Sequence, residues 1–462
     1  MKNKSSQKKD VSVSESAPIL RMDDVRDYYA RMLISIISWI VERYHRDQDY
    51  GWINSKIDLL TGEDFDDGDL LRGKNTVYGW IQGRALEALA LHAAWMKRIP
   101  KSGNPPHEMN EIIIRLYDKL QDARKQNRGH LYFMMDIDGK AFAPDQTGKE
   151  RIFIKKEIST YNYSDLFAAK GMYAAANYLN DLDKINESRQ YCLNVIDALW
   201  KRSFVSDQYS FRGAISGADD ITFSLGPYML CLGMITYMVS ENEAFAKEGM
   251  KLLEYIMKRH INSPAKWDFG KEYDCIENVD HNDNPLVKDG RALSDPGHCL
   301  EFTGSALKFL HVLSQSPFGS KYKSRIADMQ SLLIEILTHN FYNGFVSEPG
   351  GICKTLDLKT RKMMDSSMPW WSLPETMRAV CFAVKMAHNE EKENQLWKIF
   401  SKCHYSFSRN YVREDLRYMA IQTLGTDGKP ARIIPATPDA DPGYHTGVSM
   451  IDCLDICQTT LR

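Results

Sequence analysis

Helical periodicity runs through almost the whole chain and limits its fold more than any other feature of the sequence. Apolar residues recur every three to four positions in segments near 23–45, 77–97, 108–126, 160–180, 184–201, 219–240, 242–261, 296–315, 320–340, 370–388, 391–409 and 446–460. No Pro/Ser-rich linker separates these segments, and helix pairs recur at a spacing of roughly 70 residues without the tight self-similarity of a solenoid. The pattern predicts six antiparallel helix pairs closed into one ring.

The connections between the predicted pairs are long, and several show strand-like alternation around a turn. They are 132–142 with Asp138-Gly139 at its turn, 344–364 with a bend at Pro349-Gly350-Gly351, and 417–434 with Asp427-Gly428. Asp-Gly between apolar runs favours a β-hairpin. In a ring of helix pairs these ribbons would lie at one end, where loops on a rigid scaffold commonly form a site. We therefore predict an all-α toroid of six helical hairpins with short β-hairpins in the loops at one end.

Composition and charge exclude some classes of partner. Of 462 residues, 43% are hydrophobic, which is ample for a sizeable core. Lys and Arg number 59 against 61 Asp and Glu, so the chain lacks the basic excess that nucleic acid or a membrane surface would require. We expect no partner of either kind.

The N-terminus is polar and lacks the apolar core of a signal peptide. We expect residues 1–22 to be a disordered tail and residues 23–462 to form one catalytic domain. The nine cysteines are scattered singly, without zinc-site spacing, which indicates reduced thiols and a cytoplasmic location.

Two motifs place a histidine close to a predicted helix start. Asp295 fits an N-cap and Pro296 the first helical position, so His298 falls in the first turn. The helix dipole there favours a neutral imidazole that can accept a proton, and Glu301 lies on the same face. His445 comes just before the last helix, after a loop rich in Asp, Pro and Gly. The alternative is structural: a capping histidine beside a solvated glutamate, and an inert loop histidine.

Two further motifs offer sugar-binding groups. Arg84 ends the run Trp-Ile-Gln-Gly-Arg in an early helix and could hold hydroxyls or a developing oxyanion, unless it pairs with Glu87 along the helix. Trp371 follows a second tryptophan and suits a platform for a sugar ring. Ser372 and Glu375 in the same motif match a capping box equally well.

The order of these four motifs resembles the N-acylglucosamine 2-epimerase family, whose versions read roughly W-x-Q-G-R, P-G-H-x-x-E, W-W-P-x-x-E and F-H-x-P-R. The resemblance covers about residues 25–460. It implies an (α/α)6 barrel with a pocket at its wide end, a free reducing sugar as substrate, and neither cofactor nor metal. By matching position it implies that the acid/base pair is His298 and His445. The sugar-binding residues that it implies are Arg84, Glu301, Trp371, Glu375, Tyr163 and Asp165.

The chemistry implied by the resemblance is 2-epimerisation of a free N-acylhexosamine of the N-acetylglucosamine/N-acetylmannosamine type. One histidine would remove the proton at C2, and the other would return a proton to the opposite face of the enediolate. Relatives acting on cellobiose, or isomerising aldoses, carry N-x-H-x-H where this chain reads Gly-Pro-Tyr-Met-Leu over 226–230, and this difference favours the N-acyl branch.

Three alternatives stay open on the sequence. An aldose–ketose isomerase of the same fold would move the proton between C2 and C1. A glycoside hydrolase would need two carboxylates, for which Asp165 and Glu375 are candidates. A non-catalytic sugar-binding relative would keep the pocket without turnover. A homodimer and a nucleotide effector are likewise left open.

Overall fold

The computed structural model describes residues 18–99, 105–154, 160–210, 214–215, 223–387, 389–431 and 437–458. Twelve α-helices lie within them and confirm the predicted all-α class. In chain order they are α1 Met22–Arg46, α2 Gly79–Met96, α3 Pro105–Gln126, α4 Tyr163–Leu179, α5 Leu182–Trp200, α6 Leu225–Thr236, α7 Glu243–His260, α8 Pro296–Gln315, α9 Lys323–Gly344, α10 Ser372–Met386, α11 Glu390–Ser406 and α12 Ser449–Ile456.

The helices form two concentric rings. Each even-numbered helix contacts the next even-numbered one, and α12 contacts α2, which closes the inner ring. The odd-numbered helices pack outside it. Inner helices such as α4 are buried along most of their length, whereas the outer α7 buries Leu252, Leu253 and Ile256 and exposes Lys247 and Lys251. Helices that are apolar all round therefore become the inner ring, and amphipathic helices cover it.

Short connections join α4 to α5, α6 to α7, α8 to α9 and α10 to α11, as between Leu179 at the end of α4 and Leu182 at the start of α5. The sixth pair consists of α12 and α1, which contact each other. Long connections lead from each outer helix back to the next inner one. The amino ends of the inner helices and the long loops therefore meet at the same end of the barrel, as predicted.

Short antiparallel strands occupy these long loops. They are β1 Val77–Tyr78, β2 Met134–Met135, β3 Phe142–Pro144, β4 Arg151–Phe153, β5 Tyr209–Ser210, β6 Ala214–Ile215, β7 Phe223–Ser224, β8 Asn278–Val279, β9 Val287–Lys288, β10 Arg291–Ser294, β11 Phe345–Val346, β12 Gly351–Ile352, β13 Thr355–Asp357, β14 Met363–Asp365, β15 Met368–Pro369, β16 Val412–Arg413, β17 Met419–Ala420 and β18 Thr423–Leu424. The largest sheet orders four of them as β14-β13-β10-β9.

The predicted ribbons are confirmed in their described parts. Gly139 and Gly428 adopt φ of 84° and 72°, the left-handed values that make glycine suitable for these turns. The 344–364 ribbon forms two hairpins, β11 with β12 and β13 with β14. Residues 432–434 of the last ribbon lie outside the described residues.

Two predicted helices differ in extent from the observed ones. The helix expected over 219–240 begins at Leu225, because Phe223 and Ser224 pair with β8 instead, and residues 216–222 lie outside the described part. The helix expected over 446–460 begins at Ser449 as an α-helix, because residues 446–448 belong to a π-helical turn, Tyr444–Val448. Of the tail expected to be disordered, residues 1–17 lie outside the described residues, and α1 already begins at Met22.

The cysteines and the helix lengths agree with the composition. All nine cysteines are free, and all but Cys457 are buried. Among the described helices none combines the length and the hydropathy that crossing a membrane requires.

The crossing of α2 and α4 in the inner ring depends on two glycines, Gly83 and Gly171. A Cβ added at Gly171 would lie 2.2 Å from the carbonyl oxygen of Gly83, which is backbone and cannot give way. We expect Gly171→Ala to lower the free energy of unfolding by about 1–3 kcal/mol, measured by urea denaturation. The control is Gly233→Ala on α6, where the nearest atom is the flexible Lys170 Nζ at 3.7 Å. Equal stability of the two variants would contradict this description of the crossing.

Candidate active site

Three aromatic side chains from the amino ends of the inner helices meet at the end of the barrel that carries the long loops. His298 lies in the first turn of α8, Trp371 directly precedes α10, and His445 lies in the π-helical turn before α12. The Trp371 ring centroid is 5.5 Å from that of His298 and 5.6 Å from that of His445. Two histidines that are 147 positions apart in the chain thus contact one indole.

Two carboxylates flank His298. Asp295 is the N-cap of α8, with its side chain accepting from the backbone N–H of His298, as predicted. The His298 Nδ1 lies 3.0 Å from Glu277 Oε2 and 3.5 Å from Asp295 Oδ2, and Lys354 Nζ forms an ion pair with that same Asp295 oxygen. Burial lowers the pKa of His298, but Asp295 and Glu277 outweigh burial and raise it to about 9.

This environment corrects the prediction of a neutral His298. The helix dipole does disfavour an imidazolium in a first turn, by roughly 0.3–1 kcal/mol at an exposed site. Two carboxylates within hydrogen-bonding or ion-pairing distance of a half-buried ring favour it by more. A pKa of about 9 makes His298 a proton donor at neutral pH.

Glu375 holds the second imidazole. The His445 Nδ1 lies 2.9 Å from Glu375 Oε1, and Arg378 pairs with the other oxygen of the same carboxylate. Burial raises the pKa of Glu375, but Arg378 and then His445 outweigh burial and lower it, so this carboxyl stays ionised. Ser372 is the first residue of α10 and its hydroxyl donates to a preceding carbonyl, so the capping-box alternative is excluded.

Glu301 completes this second cluster. A carboxylate oxygen of Glu301, one of Glu375 and a ring nitrogen of His445 all lie within 4.8 Å of one another. Burial, and then the negative charge of Glu375, raise the pKa of Glu301. The site therefore holds one carboxyl that is kept ionised beside one that is shifted towards its protonated form.

Arg84 enters the same region from α2. Its guanidinium carbon lies 4.1 Å from the centroid of the Phe167 ring and 5.4 Å from that of Tyr444, and its buried Nε has no hydrogen-bond partner among the described residues. Glu87 does not hold it, since that carboxylate pairs with Lys170 at 2.9 Å. The intrahelical alternative for Arg84 is therefore wrong. Burial lowers its pKa.

Tyr163 lies beside the first histidine cluster at the start of α4. Its hydroxyl is 3.4 Å from Ser224 Oγ and only 2.8 Å from where a Cβ on Gly226 would sit. The backbone N–H of Leu225 donates to the carbonyl of Glu277, whose carboxylate contacts the first histidine. The apolar amino end of α6 thus lies next to this cluster.

Asp165 does not belong to the site, which corrects its prediction as a sugar-binding residue. Its two oxygens accept from the backbone of Leu131 and Asn162, the hydroxyl of Tyr191 and the ring of His130, at 2.5–3.3 Å. It forms a capping box with Asn162 at the start of α4. Four donors leave a buried carboxylate no capacity for a sugar hydroxyl.

Asp165→Asn is therefore expected to reduce stability and to leave substrate binding unchanged. An amide nitrogen would face donors in place of an acceptor, and we expect a loss of about 1–3 kcal/mol in thermal or chemical unfolding. The exposed Asp183→Asn on α5 is the control. A rise in KM of ten-fold or more at unchanged stability would restore the sugar-binding role.

Two carboxylate–histidine groups have the spacing of metal ligands, with their ligand atoms within 4.8 Å in each group: Glu277, Asp295 and His298, and Glu301, Glu375 and His445. In each group a basic side chain already pairs with one carboxylate, Lys354 in the first group and Arg378 in the second. Each group is thus also a salt-bridge cluster, in which a cationic side chain engages one of the carboxylates.

Three of the charged residues around the histidines were not predicted. Arg378 lies three positions after Glu375 on the same helix, a spacing that could have indicated the pair. Glu277 contacts His298 and Lys354 contacts Asp295 from other loops, and no local pattern in the sequence joins them to this helix start.

Comparisons with solved structures agree with the helical-barrel fold described above. No protein-family model matches the chain, and no curated protein matches it in sequence. Among solved structures, cellobiose 2-epimerase from Bacillus thermoamylovorans B4167 superposes with a TM-score of 0.66 at 13% identity, over 94% of this chain and 100% of the epimerase. A D-mannose isomerase gives 0.60 at 12% identity, over 90% and 97%. An unsaturated glucuronyl hydrolase specific for heparin gives 0.52 at 11% identity, over 94% and 97%. The chain therefore has the helical-barrel fold of structurally known sugar 2-epimerases and isomerases, a fold that also supports hydrolysis.

Proposed function

We propose that this protein is a sugar 2-epimerase that acts on a free reducing sugar through proton transfer at C2. The observation that carries the proposal is the pair of imidazoles on one indole, with ring centroids 5.5 and 5.6 Å from Trp371. A carboxylate oxygen lies within hydrogen-bonding distance of Nδ1 in each imidazole: Glu277 Oε2 at 3.0 Å from His298 and Glu375 Oε1 at 2.9 Å from His445. That arrangement fixes the tautomer and leaves Nε2 for exchange with a substrate.

The reaction requires an open-chain aldose, whose C2 proton is acidified by the neighbouring aldehyde. One imidazole removes that proton, and the electron pair moves onto the carbonyl oxygen to give an enediolate. The other imidazole then delivers a proton to C2 from the opposite face while the carbonyl re-forms. For the epimer whose C2 proton faces His445, that imidazole is the base and His298, with its raised pKa, is the proton donor; the two roles exchange for the other epimer.

Arg84 is suited to the enediolate oxygen. A buried guanidinium whose Nε has no hydrogen-bond partner among the described residues gains most from an oxyanion that forms only during the reaction. Burial and the negative charge of Glu375 raise the pKa of Glu301, which favours the protonated form that can donate a hydrogen bond to a sugar oxygen. Trp371 offers an apolar face for the sugar between the two histidines.

An N-acylhexosamine is the proposed substrate, with N-acetylglucosamine and N-acetylmannosamine as the first pair to test. The start of α6 adjoins the His298 cluster through the backbone bond from Leu225 to Glu277, and neither histidine of the N-x-H-x-H pattern is present there. An apolar segment of this kind suits an acyl substituent better than a segment that offers two imidazoles to hydroxyl groups.

Hydrolysis is less well supported. The carboxylate pair suggested by the sequence fails because Asp165 is bound by four internal donors. Glu301 and Glu375 are close enough to act together, but the charge of Glu375 is already compensated by His445 on one oxygen and by Arg378 on the other, which weakens it as a nucleophile.

The test is a wash-in experiment with a panel of reducing sugars in heavy water, followed by proton NMR. We expect loss of the C2–H signal and appearance of the C2 epimer with at least one N-acylhexosamine. A ketose formed from another aldose would make the protein an aldose–ketose isomerase. Release of new reducing ends from a glycoside, without exchange at C2, would replace the proposal with hydrolysis.

A further inference from the structure

We infer, resting on the proposed function, that Glu277 and Lys354 are positioning residues that act on His298 in opposite directions. Glu277 holds the imidazole ring and favours its protonated form. Lys354 competes with the ring for the Asp295 carboxylate and favours the neutral form. Neither residue is required to touch the sugar.

Glu277 is anchored independently of the histidine. Its backbone N–H donates to Leu293 in β10, and its carbonyl accepts from Leu225 at the start of α6, each at 2.9 Å. The side chain then reaches His298 Nδ1 at 3.0 Å. Because the backbone on either side of it is paired, the carboxylate presents a fixed acceptor, and rotation of the imidazole away from it would break a charge-assisted hydrogen bond.

Lys354 approaches the start of α8 from a different loop. It follows β12, and its backbone N–H donates to the carbonyl of Ser367 at 2.8 Å. Its Nζ pairs with Asp295 Oδ2, the same oxygen that lies 3.5 Å from His298 Nδ1, and it lies 5.6 Å from the Trp371 ring centroid. One carboxylate oxygen is thus shared between an ammonium group and an imidazole.

The charges around His298 therefore oppose each other. Asp295 on its own helix and Glu277 from the preceding loop stabilise the imidazolium, while Lys354 destabilises it. Glu301, one turn further along the helix, also faces the ring but is left unchanged in the variants below. Removing one carboxylate and removing the ammonium group should move the protonation of His298 in opposite directions, which a loss of packing alone would not do.

The experiment compares Glu277→Gln and Lys354→Met in the full chain. Its first readout is the alkaline limb of kcat/KM for the sugar that exchanges, because activity falls once His298 has lost its proton. Its second readout, which needs no activity, is the titration of the His298 imidazole by ¹⁵N NMR, with its signal assigned as the one missing from His298→Asn. The controls are the exposed neighbours Glu272→Gln and Lys362→Met.

We expect both readouts to move to lower pH by about 1 unit or more in Glu277→Gln, and to higher pH in Lys354→Met. Shifts in the same direction, or no shift in either variant, would overturn the inference. If Glu277→Gln does not fold, the upward shift in Lys354→Met still decides. If no sugar exchanges at all, the proposed function fails, whereas the NMR titration still tests the inference by itself.

Discussion

His298→Asn and His445→Asn are each expected to lower turnover by at least about 10²-fold, the usual contribution of a positioned acid or base. Each imidazole acts as the base for one epimer and the acid for the other, so neither variant should convert either sugar at the normal rate. Asparagine keeps a polar group of similar size that can still meet the flanking carboxylate, Glu277 or Glu375, but it cannot transfer the proton.

The matched control is His281→Asn, an exposed histidine in a loop of the same protein, which should keep full activity. The two epimers are to be compared by kcat/KM, because the equilibrium constant fixes the ratio of the forward and reverse values, and a loss of kcat/KM in one direction only would reveal an assay error. Full epimerisation by either variant of the pair would remove that histidine from the acid/base assignment.

Arg378→Met is expected to lower the free energy of unfolding by about 3–5 kcal/mol, which makes it the most destabilising substitution considered for the site. Arg378 is buried, pairs with Glu375, and lies 3.9 Å from a carboxylate oxygen of Asp452. Glu301 also lies close enough to act on it, so its removal leaves several acidic groups buried without this cation. Methionine preserves helix propensity and much of the volume, so the loss reflects charge.

Chemical denaturation followed by circular dichroism measures this effect, with Lys385→Met on the exposed side of the same helix as the control. The control should change stability by no more than about 0.5 kcal/mol. If both variants are equally stable, groups other than Arg378 compensate the charge of the buried carboxylates. The explanation of how Glu375 is kept ionised would then be wrong.

The fold was predictable from the sequence because most of its helices and turns are determined by residues that are close together in the chain. Twelve periodic segments and the Asp-Gly turns each follow from a few neighbouring residues, and a helix that is apolar all round can only be an inner one. Asp295 and Pro296 at the start of α8 were likewise predicted from their own positions. The start of α6 was missed because Phe223 pairs with a strand that lies 56 positions later, which no local pattern indicates.

The surroundings of the histidines were less predictable because their contacts come from residues that are distant in the sequence. The position of His298 in the first turn of α8 predicts a neutral imidazole. Glu277, 21 positions earlier in the chain, and Asp295 instead favour the protonated form. Asp165 matched a motif, yet its oxygens are taken by donors from two other segments, the loop at 130–131 and α5, as well as by its own cap. The order of the motifs predicted which helix starts lie together. The protonation of the histidines depends on charged residues from distant loops, which the order of the motifs does not reveal.

Isotope exchange at C2 by the two histidine variants, with each epimer supplied separately in heavy water, tests the two-base mechanism most directly. The expected result is complementary. His298→Asn should exchange the C2 proton only of the epimer whose proton faces His445, and His445→Asn only that of the other epimer, with no product from either variant. If both variants exchange the same epimer, or if one loses exchange with both epimers while the other keeps it with both, a single base carries the reaction and the two-histidine account is contradicted.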